Sequence, residues 1–468
     1  MPFPLPSRVP LAARLAKSPF FRNVAIVMSG TVVAQAVGML IMPLVTRLYS
    51  PADFGVLGAF NAFLSIAGAG IALQYSDAVV LPKSDLDAAA LVAASSLSIL
   101  VLTGLLGAGV LLFPGFFRSW AGQGGAGWML LFLILALPVT GLNQTLQAWC
   151  TRRKAFKTTA HSQMARPACS LSMQVAAGFA HLGWGGLVSG SIAGDAAATA
   201  VLARESLRAD GSLLRQAFTW KHLKAVGREY VDFPLYSMPQ NVLNAASQGI
   251  PVLLLTRYFG PAVAGSYALG MRVLQAPMSL ILTSVRQVLL QRATEVHNHG
   301  QRLWPLLARS TGLLALIAFA PAVLIALLSP VVFRWAFGPD WGLAGECARW
   351  LVLWLGIMFC NLPAALLGRI LRQQRNLLIF DVLLLAARVT SLVLAARALS
   401  PVQTVMVFSL VGFAFNVFFI LWIAALVLRH DRHLAPPAAV SAHSTVPDFK
   451  AHVPRTPVSG RQSVLGSP

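Results

Sequence analysis

Apolar residues along this chain gather into runs of about 20, the length a helix needs to cross ~30 Å of hydrocarbon. Twelve runs are read: 24–45, 54–76, 88–113, 128–149, 163–181, 184–203, 233–255, 262–285, 308–328, 346–368, 377–398 and 403–428. They predict an all-α polytopic membrane protein with about 12 transmembrane helices. Spans five and six are short and rich in Gly, Ser and Ala, which predicts buried helices in close approach.

Polar residues interrupt some of these runs at helical spacing. Span one carries Thr31, Gln35, Gly38 and Met42, and span two carries Asn61, Ser65, Gly68, Ala72 and Tyr75. Span seven carries Gln240, Asn244, Ser247 and Pro251, and span eight carries Arg272, Gln275, Ser279, Thr283 and Arg286. In hydrocarbon a polar side chain needs a partner or a wet cavity. The stripes therefore predict a shared polar cavity, and the alternative for any single amide or hydroxyl is a helix-to-helix bond. Span eight contains no acid to pair Arg272, and Arg388 stands seven residues from Asp381, ~10 Å along a helix. Both arginines are read as facing the cavity and attracting an anion. Asp195, in span six, and Asp381, at the start of span eleven, are candidates for carrying a proton. The alternative is an interhelical or helix-end bond. Three prolines, Pro234, Pro239 and Pro251, make span seven the candidate bent helix.

The chain repeats itself. Thr46-Arg47-Leu48-Tyr49-Ser50-Pro51-Ala52-Asp53-Phe54-Gly55 returns 210 residues later as Thr256-Arg257-Tyr258-Phe259-Gly260-Pro261-Ala262-Val263-Ala264-Gly265. Leu111 to Arg118 is echoed by Leu327 to Arg334 in the same order. Thr46, Arg47, Pro51, Gly55, Thr256, Arg257, Pro261 and Gly265 are read as structural turns, with Arg47 and Arg257 at helix C-termini. Two copies of six spans predict two six-helix lobes, 24–203 and 233–428, related by a pseudo-twofold along the membrane normal, with a site between them. The polar stretch 204–232 is the linker, read as a helix on the membrane surface or a solvated helix. Residues 1–23 form a basic N-terminal segment, and 429–468, rich in Pro, Ser, Ala and His, a disordered tail. The loops around 114–127 and 329–345 are the longest on the far side and too short for an external domain.

Charge sharpens the topology. Only 11% of residues are charged, yet the net charge is +21. A charge that basic suggests nucleic acid, but its placement argues otherwise. With the N-terminus in the cytoplasm, 28 of the 36 Lys and Arg residues fall on the cytoplasmic side and six on the far side. This bias puts both termini in the cytoplasm. The cysteines, Cys150, Cys169, Cys347 and Cys360, have no metal or redox spacing and read as apolar filler. His161, His181, His222 and His297 read as surface residues. No nucleotide-binding Gly-rich loop, metal-ligand spacing or nucleophile–base pair is found, so no catalytic residue, cofactor or metal is expected.

Two segments carry a family resemblance: Phe21-Arg22-Asn23 through Pro43 to Gly55, most specifically the stretch Thr46 to Gly55, and Ala148-Trp149-Cys150-Thr151-Arg152-Arg153-Lys154-Ala155-Phe156. They resemble the oligosaccharide flippases of the multidrug/oligosaccharidyl-lipid/polysaccharide exporter superfamily, including the O-antigen flippases. The resemblance runs from about 20 to 430 and is strong in the first 85 residues. It implies a V-shaped pair of lobes in the bacterial inner membrane. It also implies alternating-access passage of an undecaprenyl-pyrophosphate-linked oligosaccharide to the outer leaflet, for O-antigen, capsule or exopolysaccharide. The implied partners are that lipid-linked glycan, membrane lipids and polysaccharide polymerase and export proteins. The cavity candidates for the substrate are Arg272, Arg388, Gln35, Asn61, Gln240, Asn244, Gln275 and Ser279. Span one lacks the acid that some drug-exporting relatives use for cation coupling, and the two extra C-terminal spans of lipid II flippases are missing. Competing readings are a drug or cation exporter of the same superfamily, and a membrane-embedded polymerase or glycosyltransferase. The latter needs paired acids or basic clusters on a sizeable external loop.

Overall fold

The computed structural model describes residues 19–113 and 126–432; the first part of the N-terminal segment, the 114–125 part of the first long loop and the tail beyond 432 lie outside them. The described residues form helices only: α1 (Pro19–Leu48), α2 (Pro51–Ile71), α3 (Tyr75–Ala78), α4 (Asp85–Leu112), α5 (Ala126–Arg152), α6 (Phe156–Phe179), α7 (Trp184–Ala217), α8 (Trp220–Glu229), a π turn (Phe233–Ser237), α9 (Met238–Phe259), α10 (Pro261–Asn298), α11 (Trp304–Phe337), α12 (Gly342–Cys360), α13 (Leu362–Ile370), α14 (Gln374–Ala398) and α15 (Pro401–Arg432). Twelve are 19 residues or longer and coincide with the twelve apolar runs. Nine helical stretches among the described residues are long and apolar enough to cross a membrane. Three long helices lie outside that set: α1, whose described apolar part is the shorter Gln35–Leu48, and α6 and α9, whose faces carry Gln163, Arg166, Ser170 and Gln240, Asn244, Gln248.

Local chemistry sets the helix ends. At the first repeat turn Ser50 caps α2: its Oγ accepts from the Asp53 N–H at 3.2 Å, and Asp53 accepts from the Ser50 N–H at 3.0 Å. Pro51 then occupies the first helical position, where its missing N–H costs nothing. At the second turn Gly260 takes the place of Ser50 with φ +86°, a conformation that favours glycine, before Pro261 opens α10. Helix α2 stops at Ile71, because Leu73 and Gln74 adopt positive φ and the Gln74 amide donates back to the Ala69 carbonyl at 2.6 Å. Tyr75 therefore leaves the face that Asn61, Ser65 and Gly68 share.

The two repeat turns pack on each other, and the contact is reciprocal. A Cβ placed on Gly55 would lie 1.8 Å from the Pro261 carbonyl oxygen, and one on Gly265 would lie 1.9 Å from that of Pro51. Position 55 of the first copy meets the second copy's equivalent of 51, and the converse also holds. A local twofold produces that exchange. Trp341 covers the junction, donating to the Thr46 carbonyl at 3.0 Å and standing edge-on to Phe54. This turn end forms part of the largest apolar cluster. Arg47 and Arg257 occupy the last turns of α1 and α9.

Helices α6 and α7 pack through glycines spaced one turn apart. Gly190 meets Gln174 and the Ser170 carbonyl, and Gly194 meets Ser170 and the Arg166 carbonyl. A side chain at either position would force the helices apart, so the small residues of spans five and six serve close approach.

Several boundaries differ from the sequence reading. Helix α7 does not end at 203 but continues to Ala217, with non-helical backbone at Asp210. The buried Asp210 carboxylate accepts from Trp149 Nε1 at 3.2 Å and from Arg153 Nη2 at 2.6 Å, while Arg152 and Arg153 bind Asp85 at 2.8 and 3.0 Å. The basic end of α5 thus anchors the linker to the first half. Helix α8 buries Leu223 and Val226 against that same half and leaves Trp220 exposed. The 329–345 segment is not a loop: α11 runs through Pro330 to Phe337, where Phe333 and Phe337 pack in the core. The tail begins later than 429, because α15 reaches Arg432 and Asp431 accepts from the Leu303 and Trp304 N–H groups at the start of α11. His297 is half-buried against His430, at 5.6 Å between rings. Cys150, Cys347 and Cys360 are buried and Cys169 half-buried, all as free thiols.

Candidate functional site

A cavity of about 1650 Å³ lies between the halves. Helices α1, α2, α5, α6 and α7 line one side, and α9, α10 and α14 line the other, with Phe337, Trp354, Met358, Arg369 and Phe408 completing it. The repeat turns and Trp341 close it at the turn end. Toward the linker end its wall reaches Gln74, Gln147, Arg369 and Asp381.

The structure places Gln35, Asn61, Gln240, Asn244, Gln275, Arg272 and Arg388 in the lining. Ser279 stands at the rim and accepts from Gln35 Nε2 at 3.4 Å. Thr31 lies outside the described side chains. The repeat-turn residues sit at the closed end, apart from the polar lining.

The two arginines have different settings. Arg272 is exposed to the cavity from the first third of α10, and among the described residues it has no ion-pair or hydrogen-bond partner. Arg388 is only 7% exposed. Its guanidinium carbon lies 3.7 Å from the Trp354 ring centre and 4.2 Å from that of Phe408. Gly412 admits the α15 backbone against Trp354, since a Cβ there would lie 2.8 Å from the indole. The rings satisfy the faces of the guanidinium by cation–π attraction. They leave its edge, and Nε and Nη2 are buried with no hydrogen-bond partner. A buried donor without a partner costs about 1–3 kcal/mol, more when charged. An anion would satisfy that edge once the packing that covers it opens.

The acids are arranged differently from the arginines. Asp195 pairs with Arg166 Nε at 2.5 Å across the α6–α7 interface. Gly194 makes this possible by bringing α7 onto the Arg166 backbone. Asp195 thus makes the interhelical bond that was its alternative reading. Asp381 is exposed on the opposite wall, and among the described residues no cation lies within ion-pair distance of it. If the Arg166–Asp195 pair is only a brace, Asp195→Asn lowers stability and leaves the response of transport to an imposed pH gradient unchanged. Loss of that response would give Asp195 the coupling role.

Sequence reading missed part of the lining. Arg166 and Arg369 are among the 28 Lys and Arg residues that the charge bias assigns to the cytoplasmic side, and both line the cavity. Gln144, Gln147 and Gln163 were passed over, although Thr140, Gln144 and Gln147 follow helical spacing and could have been found by it. In all, twelve lining side chains are Asn or Gln, which gives the wall donors and acceptors in equal supply.

Comparison with known proteins fits this architecture. The family described as polysaccharide biosynthesis protein matches residues 44–345. The amylovoran biosynthesis protein AmsL of Erwinia amylovora is 22% identical over 121 residues, 26% of this chain and 31% of AmsL, so the match spans about a third of that relative. An inward-facing multidrug resistance MATE family transporter of the MOP superfamily superposes with a TM-score of 0.66 at 13% identity, over 88% of this chain and 99% of that one. The lipid II flippase MurJ, in an inward closed conformation, gives 0.63 at 13% identity, over 85% and 90%. The fold is that of these multi-pass membrane proteins.

Proposed function

Because this chain belongs to the polysaccharide biosynthesis protein family, we propose that it is a flippase for lipid-linked oligosaccharide. It moves undecaprenyl-pyrophosphate-linked glycan units from the cytoplasmic to the periplasmic leaflet of the inner membrane, for assembly of a surface polysaccharide. The lobes 24–203 and 233–428 rock about the repeat turns, and the cavity alternates its access. No bond is made or broken. The observation that carries the reading is that Arg272 and Arg388, neither with an acidic partner among the described residues, line a large amide-rich cavity. A pyrophosphate head needs cations and the glycan needs hydrogen bonds, while the polyprenyl tail stays in lipid.

The linker end is cytoplasmic on this reading, since Arg152, Arg153, Arg204, Arg208, Arg215 and Lys221 gather there. The closed turn end then faces the periplasm, and the cavity is in its cytoplasm-facing state. Polysaccharide polymerase and export proteins would act on the delivered lipid. A cation exporter on the same fold is the second reading, favoured by the MATE likeness. Arg272 and Arg388 repel its substrate. Depleting the protein in its host decides: lipid-linked oligosaccharide accumulates in the inner leaflet if the flippase reading holds, and its level stays flat if it does not.

A further inference from the structure

The charges of the cavity are not shared evenly between its walls. In the second half, Arg272 and Arg388 have no acidic partner. In the first half, the lining cation Arg166 is neutralised by Asp195 at 2.5 Å. The remainder of that wall is uncharged: Gln144 and Gln147 on α5 and Gln163 on α6 are half-buried and, among the described residues, donate no side-chain hydrogen bond. Their neighbour Asn143 is engaged instead, donating to Thr199 Oγ1 at 3.1 Å. Gln144 and Gln147, one turn apart on α5, and Gln163 on α6 stand beside a neutral ion pair and form a surface that binds hydroxyl groups and does not discriminate charge.

We propose that the walls divide one ligand between them, an inference that rests on the flippase reading. Arg272 and Arg388 hold the phosphate-bearing part. The α5–α6 face, through Gln144, Gln147 and Gln163, holds a neutral, hydroxyl-rich sugar part and sets which glycan passes. An amide that pairs with a sugar hydroxyl rejects a ligand lacking it, because the amide would then be left unpaired in a closed site.

The full-length protein in liposomes tests this with two probes: undecaprenyl pyrophosphate carrying one N-acetylhexosamine, and undecaprenyl pyrophosphate carrying a neutral tetrasaccharide. The triple variant Gln144→Ala, Gln147→Ala, Gln163→Ala is expected to slow the tetrasaccharide probe about tenfold more than the one-sugar probe. Gln147→Leu, which keeps the side-chain volume, is expected to shift the ratio in the same direction, so a misfolded triple variant does not end the test. Arg272→Ala with Arg388→Ala is expected to lose both probes. Equal effects on the two probes in the glutamine variants, or none, overturn the division alone. Wild-type protein that moves neither probe overturns the flippase reading and the division with it.

Discussion

Replacing Arg272 and Arg388 with alanine is expected to abolish flipping while the protein remains in the membrane at wild-type abundance. The reasoning begins with burial. Arg388 is a buried cation with aromatic rings on its faces and no partner on its edge. Such a group weakens the fold unless a ligand completes it, so removing it relieves a cost. Arg388→Leu is therefore expected to hold or raise thermal stability while flipping falls at least 100-fold. A structural arginine would behave in the opposite way, with melting temperature and transport falling together. Arg388→Lys should not rescue: an ammonium is a strongly hydrated point charge and does not lie flat between Trp354 and Phe408 as a planar guanidinium does. Arg272 is open to the cavity, so its loss changes local charge with little effect on packing. Full flipping in the double alanine variant would remove the anion site from the mechanism.

Substitution at the reciprocal glycines is expected to act on the conformational equilibrium. A Cβ at Gly55 or Gly265 would lie within 2 Å of a backbone carbonyl oxygen, which has no rotamer by which to move aside. The turns must separate, and overpacking of this kind costs about 1–3 kcal/mol. At 1.4 kcal/mol per factor of ten, that shifts a two-state balance about 5- to 150-fold toward the state open at the turn end. Met42 is 5% exposed and lines the cavity beneath the turns, so it serves as a reporter. With Cys169 replaced, Met42→Cys is expected to react at least tenfold faster with an impermeant thiol reagent when Gly55→Ala or Gly265→Ala is added. Because the contact is reciprocal, the two glycine variants should resemble each other. Unchanged labelling in both would mean that the turns do not form the closed gate.

Both predictions combine a feature visible in the sequence with one that is not. The turn Thr46–Gly55 and its copy were legible, because proline, glycine and capping residues act on their own backbone. That Gly55 abuts Pro261 was not, since glycine at a helix start has several uses and only the partner distinguishes them. Arg272 was legible as a cavity residue because span eight holds no acid. Arg388 was selected because Asp381, seven residues away on the same span, is too distant to pair with it, but its cage of Trp354 and Phe408 comes from other helices. The pairing of Arg166 was not legible for a related reason: its position near a span end suggested only a cytoplasmic-side charge, and it is Gly194 that draws α7 close enough for Asp195 to reach it. Helix ends were misjudged where hydropathy fades but the helix does not, as in α7 beyond 203 and α11 beyond 328, because backbone bonding continues wherever a neighbour covers the apolar face.

By itself the sequence determined that this is a multi-pass helical membrane protein built from a repeated turn, with polar stripes on particular helices. Those properties follow from hydropathy, periodicity and backbone chemistry, each of which acts over a few residues. Only the tertiary structure decided that the turns meet as a pair, that one wall of the cavity is neutral and the other cationic, and that Asp195 is paired and Arg388 caged. The physical reason is that pairing energy depends on distance between side chains far apart in the chain, and packing alone sets those distances.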